Sequence, residues 1–213
     1  MADLTGMDRK AMYKLSYGLF VLTAKEGERL NGCITNTAIQ VASEPNQIAV
    51  AVNKANFTHD MVMASKQCNI SVISEDASFD LFKHFGFQSG RDVDKFAGFA
   101  DYKLAENGIP YITKGTNAAF SIDIRQTVDL GSHTLFIGEP AAMAVLSDAA
   151  AATYAYYQDN IKPKPEAVGK TPDGQTVWRC KICGYEYVGE ELPEDFICPI
   201  RKHPASDFEK VTK

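Results

Sequence analysis

The sequence predicts a mainly β chain with some helix (α+β), an antiparallel barrel followed by a small cysteine-bearing domain. Strand-like apolar runs follow one another in hairpin order with few helices between them, the pattern of a closed antiparallel barrel. Near the end, Cys180-Lys181-Ile182-Cys183-Gly184-Tyr185 is followed by Phe196-Ile197-Cys198-Pro199, two short cysteine turns at metal-ligand spacing. Between these regions lies Lys162-Pro163-Lys164-Pro165, whose alternate prolines hold an extended segment, and Thr171-Pro172-Asp173-Gly174 adds a turn. The barrel is therefore expected at 1–160, a Pro-rich linker at 161–174 and the metal module at 175–213. No Gly-x-Gly-x-x-Gly occurs, so a Rossmann dinucleotide domain is not indicated.

The elements follow in order. Met7 to Ser16 alternates apolar Met7, Ala11 and Leu15 with charged Asp8, Arg9, Lys10 and Lys14, the period of a short amphipathic helix. Leu19 to Ala24 is an apolar strand, Lys25 to Arg29 a charged turn, and Leu30 to Thr37 the returning strand. Ser43-Glu44-Pro45-Asn46 turns into Gln47 to Val52, the most strand-like run in the chain. Thr58 is placed to cap a helix reaching about Ser65. Cys68 to Ile73 alternates as a strand, Ser78 to Phe85 is helical, and Ser89-Gly90-Arg91-Asp92 forms a loop. Two long strands, Ala118 to Thr127 and Thr134 to Val145, bracket the turn Asp129-Leu130-Gly131-Ser132. A closing helix is expected over about 147–156.

Composition excludes several classes. The 213 residues carry 45% hydrophobic and 23% charged side chains, ordinary for a globular protein. A net charge of −5 with no Lys/Arg-rich block argues against nucleic acid as a main partner. No basic-plus-apolar segment precedes Met7 and no apolar run reaches bilayer length, so neither export nor a membrane span is expected. Five cysteines, three of them at metal spacing, suit a reducing compartment, and cytoplasmic is the expected location.

Several residues point to chemistry on their own terms. A strand ending in Asn53-Lys54, then Asn56, then a helix starting near Thr58 brings backbone N–H groups, a hydroxyl and a cation together, a set suited to a phosphate. The same residues also describe a capped helix beside a solvated lysine. Ser89, Arg91 and Lys95 could add to the same phosphate site, while Arg91–Asp92 and Asp94–Lys95 read equally as surface ion pairs. His59 either reaches the phosphate or completes the cap. Thr35, Asn36 and Thr37 present amide and hydroxyl groups at a strand edge, for a ligand ring or for solvent. His133 opens an apolar strand after a Gly-Ser turn, as a strand-end residue or as a catalyst. His84 reads as structural, and Cys33 and Cys68 as small core residues.

Three stretches, Gly32-Cys33-Ile34-Thr35-Asn36-Thr37 continuing through Gln40 to Ser43 and Pro45, Asn53 to His59, and Gly131 to Glu139, resemble in this order the flavin reductase family, the FMN-binding split β-barrel. The resemblance covers most of residues 8 to 156. It implies an NADH- or NADPH-dependent oxidoreductase in which Thr35, Asn36, Thr37, Ser43, Asn53, Lys54, Asn56, Thr58, His59, Ser89, Arg91 and Lys95 bind FMN. His133 would lie by the flavin at the nicotinamide, and the chain would be a homodimer. The Cys-x-x-Cys-Gly-Tyr turn and the later Cys-Pro resemble rubredoxin, which implies an iron–thiolate site held by Cys180, Cys183 and Cys198. Gly184 suits the turn, and Trp178, Tyr185, Tyr187, Phe196 and Phe208 supply an aromatic shell.

The fourth rubredoxin cysteine is expected at position 201, where this sequence has Arg201. A guanidinium stays protonated and cannot ligate a metal. Three readings stay open: three thiolates with an outside ligand such as His203, a weak or lost site, or a disabling substitution in an otherwise ordinary carrier. Zinc could take the place of iron. The two domains together resemble high-molecular-weight rubredoxins, which implies electrons passing from FMN to the iron site and on to a flavodiiron protein or rubrerythrin that removes oxygen, peroxide or nitric oxide. A stand-alone flavin reductase, its tail a relic or a structural knob, is the alternative. A tail that only tethers a partner is another.

Overall fold

The structure is a computed structural model that describes residues 6–7, 9–163, 176–181, 185–198 and 204–211. The chain divides into two compact units, Met1–Lys162 and Pro163–Lys213. In the first, a 3-10 turn over Arg9–Lys14 stands within the stretch expected to be helical from Met7. Met12 and Leu15 remain more than half exposed, so its apolar face finds no core to extend against.

β1 (Phe20–Glu26) and β2 (Arg29–Thr35) form the first hairpin, and β3 (Ala38–Ser43) and β4 (Asn46–Asn53) the second. α1 (Phe57–Ser65) leads to β5 (Gln67–Ile73), α2 (Phe79–Gly86), and the small hairpin β6 (Tyr102–Leu104) and β7 (Pro110–Ile112). β8 (Thr116–Asp129) and β9 (His133–Val145) make the long hairpin. Seven strands run antiparallel in the order β2-β1-β5-β8-β9-β4-β3. The pattern pointed to a closed barrel; the sheet instead ends in two edges, β2 and β3, joined by Asn36 and Thr37. That seam is stitched to β4, where Ala51 N–H donates to Thr37 O at 3.0 Å and Thr35 Oγ1 donates to Ala51 O at 3.2 Å. It is a split barrel.

The period-2 pattern of β1 shows how the core divides. Leu22 and Ala24 point into the barrel with Val50, Val52, Met61, Ile70, Ile122 and Phe136. Val21 points the other way, to Phe82, Phe85, Phe96 and Tyr157, so β1 is buried on both faces. α1 seals the barrel end through Met61 and Val62.

Two sequence expectations are corrected. Leu30 to Thr37 is not one strand: Thr37 Oγ1 bonds Asn36 Oδ1 at 3.0 Å, and such local bonds compete with the ladder, which resumes as β3. The expected helix over 147–156 is helical only at α3 (Tyr154–Tyr156), which continues as a π turn over Tyr157–Ile161. Upstream, the backbone bonds go to the end of β5 instead, with Ala152 N–H to Ile73 O at 2.8 Å and Glu75 N–H to Ala150 O at 2.9 Å.

The second unit is a three-stranded sheet in the order β11-β10-β12, from β10 (Val177–Cys180), β11 (Glu186–Val188) and β12 (Phe208–Val211). Its core is Cys180, Cys198 and Phe208 with Trp178, Tyr185, Leu192 and Phe196 packed around them.

Candidate functional site

The C-terminal end of β4 gathers most of the predicted site residues. Asn53 pairs with His133 at the start of β9, and Lys54 N–H donates to Ser132 O at 3.0 Å. On the other side of β4, Thr35 and Thr37 bond Ala51, two residues back along the strand. Asn53 shapes the turn into α1: its Oδ1 accepts from Ala55 N–H at 2.9 Å and its carbonyl from Asn56 N–H at 3.0 Å. Asn56 takes the N-cap position in an extended conformation (φ −75°, ψ 131°); its carbonyl accepts from His59 N–H at 3.0 Å, but its side chain makes no cap bond to the N–H groups of Phe57 and Thr58. The helix was expected to be capped by Thr58. Instead Thr58 lies inside the first turn, fully buried, its hydroxyl accepting from Asn31 Nδ2 at 3.0 Å.

Three cations stand around this helix end. Lys54 Nζ is 2.6 Å from Asp129 Oδ1, which also accepts from Gly131 N–H at 2.8 Å. Those bonds, the lysine's first, hold the Asp129 carboxyl below its ordinary value. Gly131 turns the chain there with φ +79°, a conformation glycine adopts without strain. Arg91 Nη2 lies 2.6 Å from Asp60 Oδ2, and its guanidinium sits 5.0 Å from the ring centroid of Phe57, the first residue of α1. Arg29 covers the same ring at 4.5 Å and donates to Gly90 O at 2.5 Å. Arg29 was read as the end of a charged turn. Its membership of the site follows from β2 passing under the 88–92 loop, a contact across 61 positions of sequence.

Asn31 marks the same spot from below. It is 2% exposed, yet its Oδ1 has no hydrogen-bond partner among the described residues. A Cβ at Gly90 would collide with that side chain, so the loop closes over Asn31 only because residue 90 is glycine. An orphaned buried acceptor is costly and points to a polar group not supplied by the described residues.

Four expected residues have other partners. Lys95 is 3% exposed and its ammonium donates to Gly32 O at 2.8 Å and Phe85 O at 3.0 Å, so it braces β2 against α2 rather than facing the helix end. Burial lowers its pKa. Ser43 pairs with Asn46 at the far end of β4, roughly 23 Å from Asn53 along the strand. Ser89 accepts from Arg91 N–H at 3.1 Å and shapes the loop. His59 is buried; it bonds Asp60 and Thr134 rather than finishing the cap. His133 is half-buried, with Nδ1 2.9 Å from Ser132 Oγ. His84 bonds Lys95 O at 2.6 Å within the aromatic cluster.

In the second unit Cys180 and Cys198 are both buried, and Cys180 N–H donates to Tyr185 O at 2.8 Å, closing the cysteine turn. Tyr185, Phe196 and Phe208 ring them, with centroids 5.3 to 6.4 Å apart. Cys183, Gly184, Arg201 and His203 lie outside the described residues, as do 164–174 of the expected linker. Among the described residues no three His, Cys, Asp or Glu side chains converge.

Comparison with known proteins agrees with both units. Residues 12–164 match the model of the flavin reductase like domain, and residues 178–209 that of the rubrerythrin, rubredoxin-like domain. A high molecular weight rubredoxin of Moorella thermoacetica is 39% identical, the match covering 96% of this chain and 100% of that protein. A ferric-chelate reductase (NAD(P)H) of Archaeoglobus fulgidus is 38% identical over 81% of this chain and 98% of its own length. Among solved structures, an FMN-binding protein from Thermus thermophilus with bound p-hydroxybenzaldehyde superposes with a TM-score of 0.57 at 26% identity, over 68% of this chain and 78% of that one.

Proposed function

We propose, from the premise that this chain belongs to the flavin reductase-like family and carries a rubredoxin-like domain behind it, that it is an oxidoreductase taking electrons from NADH or NADPH onto FMN. The observation that carries this reading is the helix end itself. First-turn N–H groups and three cations meet beside β4, which Thr35 and Thr37 bond on one side and His133 pairs with on the other. That donor set fits FMN. The N–H groups of Phe57 and Thr58, with Lys54, Arg91 and Asn56, would receive its phosphate. Thr35, Asn36 and Thr37 would hydrogen-bond the ring, and Ser132 steadies His133 toward the nicotinamide. When bound, the flavin supplies hydride acceptance and single-electron release. The chain's part is to hold donor and acceptor in contact and keep water out.

The second unit supplies thiolates from Cys180, Cys183 and Cys198 toward an iron site, and Arg201 stands where the rubredoxin pattern has the fourth. The residues present do not complete a tetrathiolate, so the iron site is impaired. In the undamaged arrangement the acceptor would be a flavodiiron or rubrerythrin-type protein removing oxygen, peroxide or nitric oxide, in the cytoplasm. Exposed Ile39 on β3 and Met143 on β9 line one apolar hollow that suits a homodimer. Arg201 also favours the second reading, a stand-alone flavin reductase with a structural or partner-binding tail.

Titration of flavin fluorescence tests the site. FMN is expected to bind about tenfold or more tightly than riboflavin, which lacks the phosphate, and Lys54→Met to weaken FMN by about tenfold while leaving riboflavin unchanged. Equal affinity for the two flavins would remove the phosphate from this helix end.

A further inference from the structure

Beneath the proposed phosphate cradle runs a chain of hydrogen bonds that flavin binding itself does not require. Thr134 Oγ1 lies 2.9 Å from His59 Nε2, His59 Nδ1 lies 3.1 Å from Asp60 Oδ1, and Arg91 Nη2 lies 2.6 Å from Asp60 Oδ2. The directions follow from the acceptors. The Asp60 carboxyl is held below its ordinary value, first by the bond from His59 and then by Arg91, so it is ionised and only accepts. His59 Nδ1 therefore carries the proton it shares with Asp60, and Nε2 meets the Thr134 hydroxyl. Thr134 and His59 are buried, and Phe136 flanks the imidazole at 5.6 Å. The ring can neither rotate nor find another partner cheaply. Three elements meet in this chain: β9 next to His133, the first turn of α1, and the loop bearing Arg91.

A carboxylate in the first turn of a helix already suits the helix dipole. The helix alone, however, requires neither a buried histidine aiming that carboxylate nor an arginine on its other oxygen. The Asp60–Arg91 pair is also half in solvent, with side chains 47% and 51% exposed, where an ion pair adds little to stability. Its consequence is geometric: Arg91 is fixed over Phe57 at the N-terminal end of α1.

We propose that Asp60 is a positioning residue that acts through Arg91, with Thr134 and His59 aiming its carboxylate so that the guanidinium waits where the FMN phosphate is received. The proposal rests on the phosphate site described above. Its sign separates it from simple electrostatics. Asp60→Asn keeps the side chain's size and removes a negative charge from beside an anion site, so charge alone would tighten FMN binding. Loss of positioning would weaken it, because the arginine must then be ordered on binding.

The experiment measures FMN and riboflavin dissociation constants for the full chain and for Asp60→Asn, Arg91→Ala and the double variant, with thermal midpoints confirming that each is folded. The expected result is FMN weakened about fivefold by Asp60→Asn, riboflavin unchanged, and no further loss when Asp60→Asn is added to Arg91→Ala. Tighter or unchanged FMN binding in Asp60→Asn overturns the proposal, as does an equal effect in the Arg91→Ala background. If the parent chain itself fails to prefer FMN over riboflavin, the phosphate site falls and the positioning role falls with it. A preserved preference that Asp60→Asn does not reduce sinks the positioning role alone.

Discussion

Cys68 is wholly buried in the barrel core, and burial, with Cys33 adding to the effect, pushes its thiol up to about 12. The folded protein therefore keeps a proton that the unfolded chain gives up from about pH 9, so this residue's contribution to stability falls as the pH climbs between those values. Peptide mapping after iodoacetamide at pH 9 should leave Cys68 unmodified in the native protein and alkylated in denaturant; native alkylation would place the thiol at the surface. Cys68 was legible in the sequence as a small core residue because it sits in an alternating strand. Lys95 was not. Its neighbours in sequence, Asp94 and Phe96, give no sign that its ammonium will meet the carbonyls of Gly32 and Phe85, 63 and 10 positions away. Asp60 and Thr134 were missed for the same reason, since the bonds that give them meaning span up to 75 positions.

At the scale of elements, strands and helices with strong periodicity were readable: the pattern placed Gln47 to Val52 within β4, and Thr58 to Ser65 within α1, to within one residue at the N-terminal end. The elements that escaped are those whose backbone bonds are settled by distant partners. β3 is an exposed edge with Ile39 and Val41 outward, so it lacks the inside–outside alternation that would betray it. The 147–153 stretch is rich in alanine, a good helix former, yet its backbone bonds the end of β5. The cysteine turn of the second unit was legible from its spacing, and the departure from the rubredoxin pattern at Arg201 is equally local. Arg201→Cys would restore a fourth thiolate. Expressed with iron, that variant is expected to gain the red colour of thiolate-to-iron absorption and near one iron per chain, above the parent. A parent already red with stoichiometric iron would show that Arg201 does not disable the site. In that case His203→Ala should release the metal if His203 replaces the missing ligand.

For the whole molecule, the family membership and the two-unit division point to one flavin-bearing unit and one cysteine-bearing unit on the same chain. None of the helices described is long and apolar enough to cross a membrane. The proposed electron path begins at the β4–α1 corner, and Arg201 stands where the rubredoxin pattern has its fourth cysteine. The beginning is tested most directly by the visible spectrum of the purified protein, reconstituted with FMN and mixed with NADH or NADPH without oxygen. Bleaching of the yellow flavin band by one or both nucleotides is the expected result, with His133→Ala slowing it at subsaturating nucleotide. A protein that stays colourless when FMN is added at high concentration, or holds FMN that neither nucleotide bleaches, would contradict it.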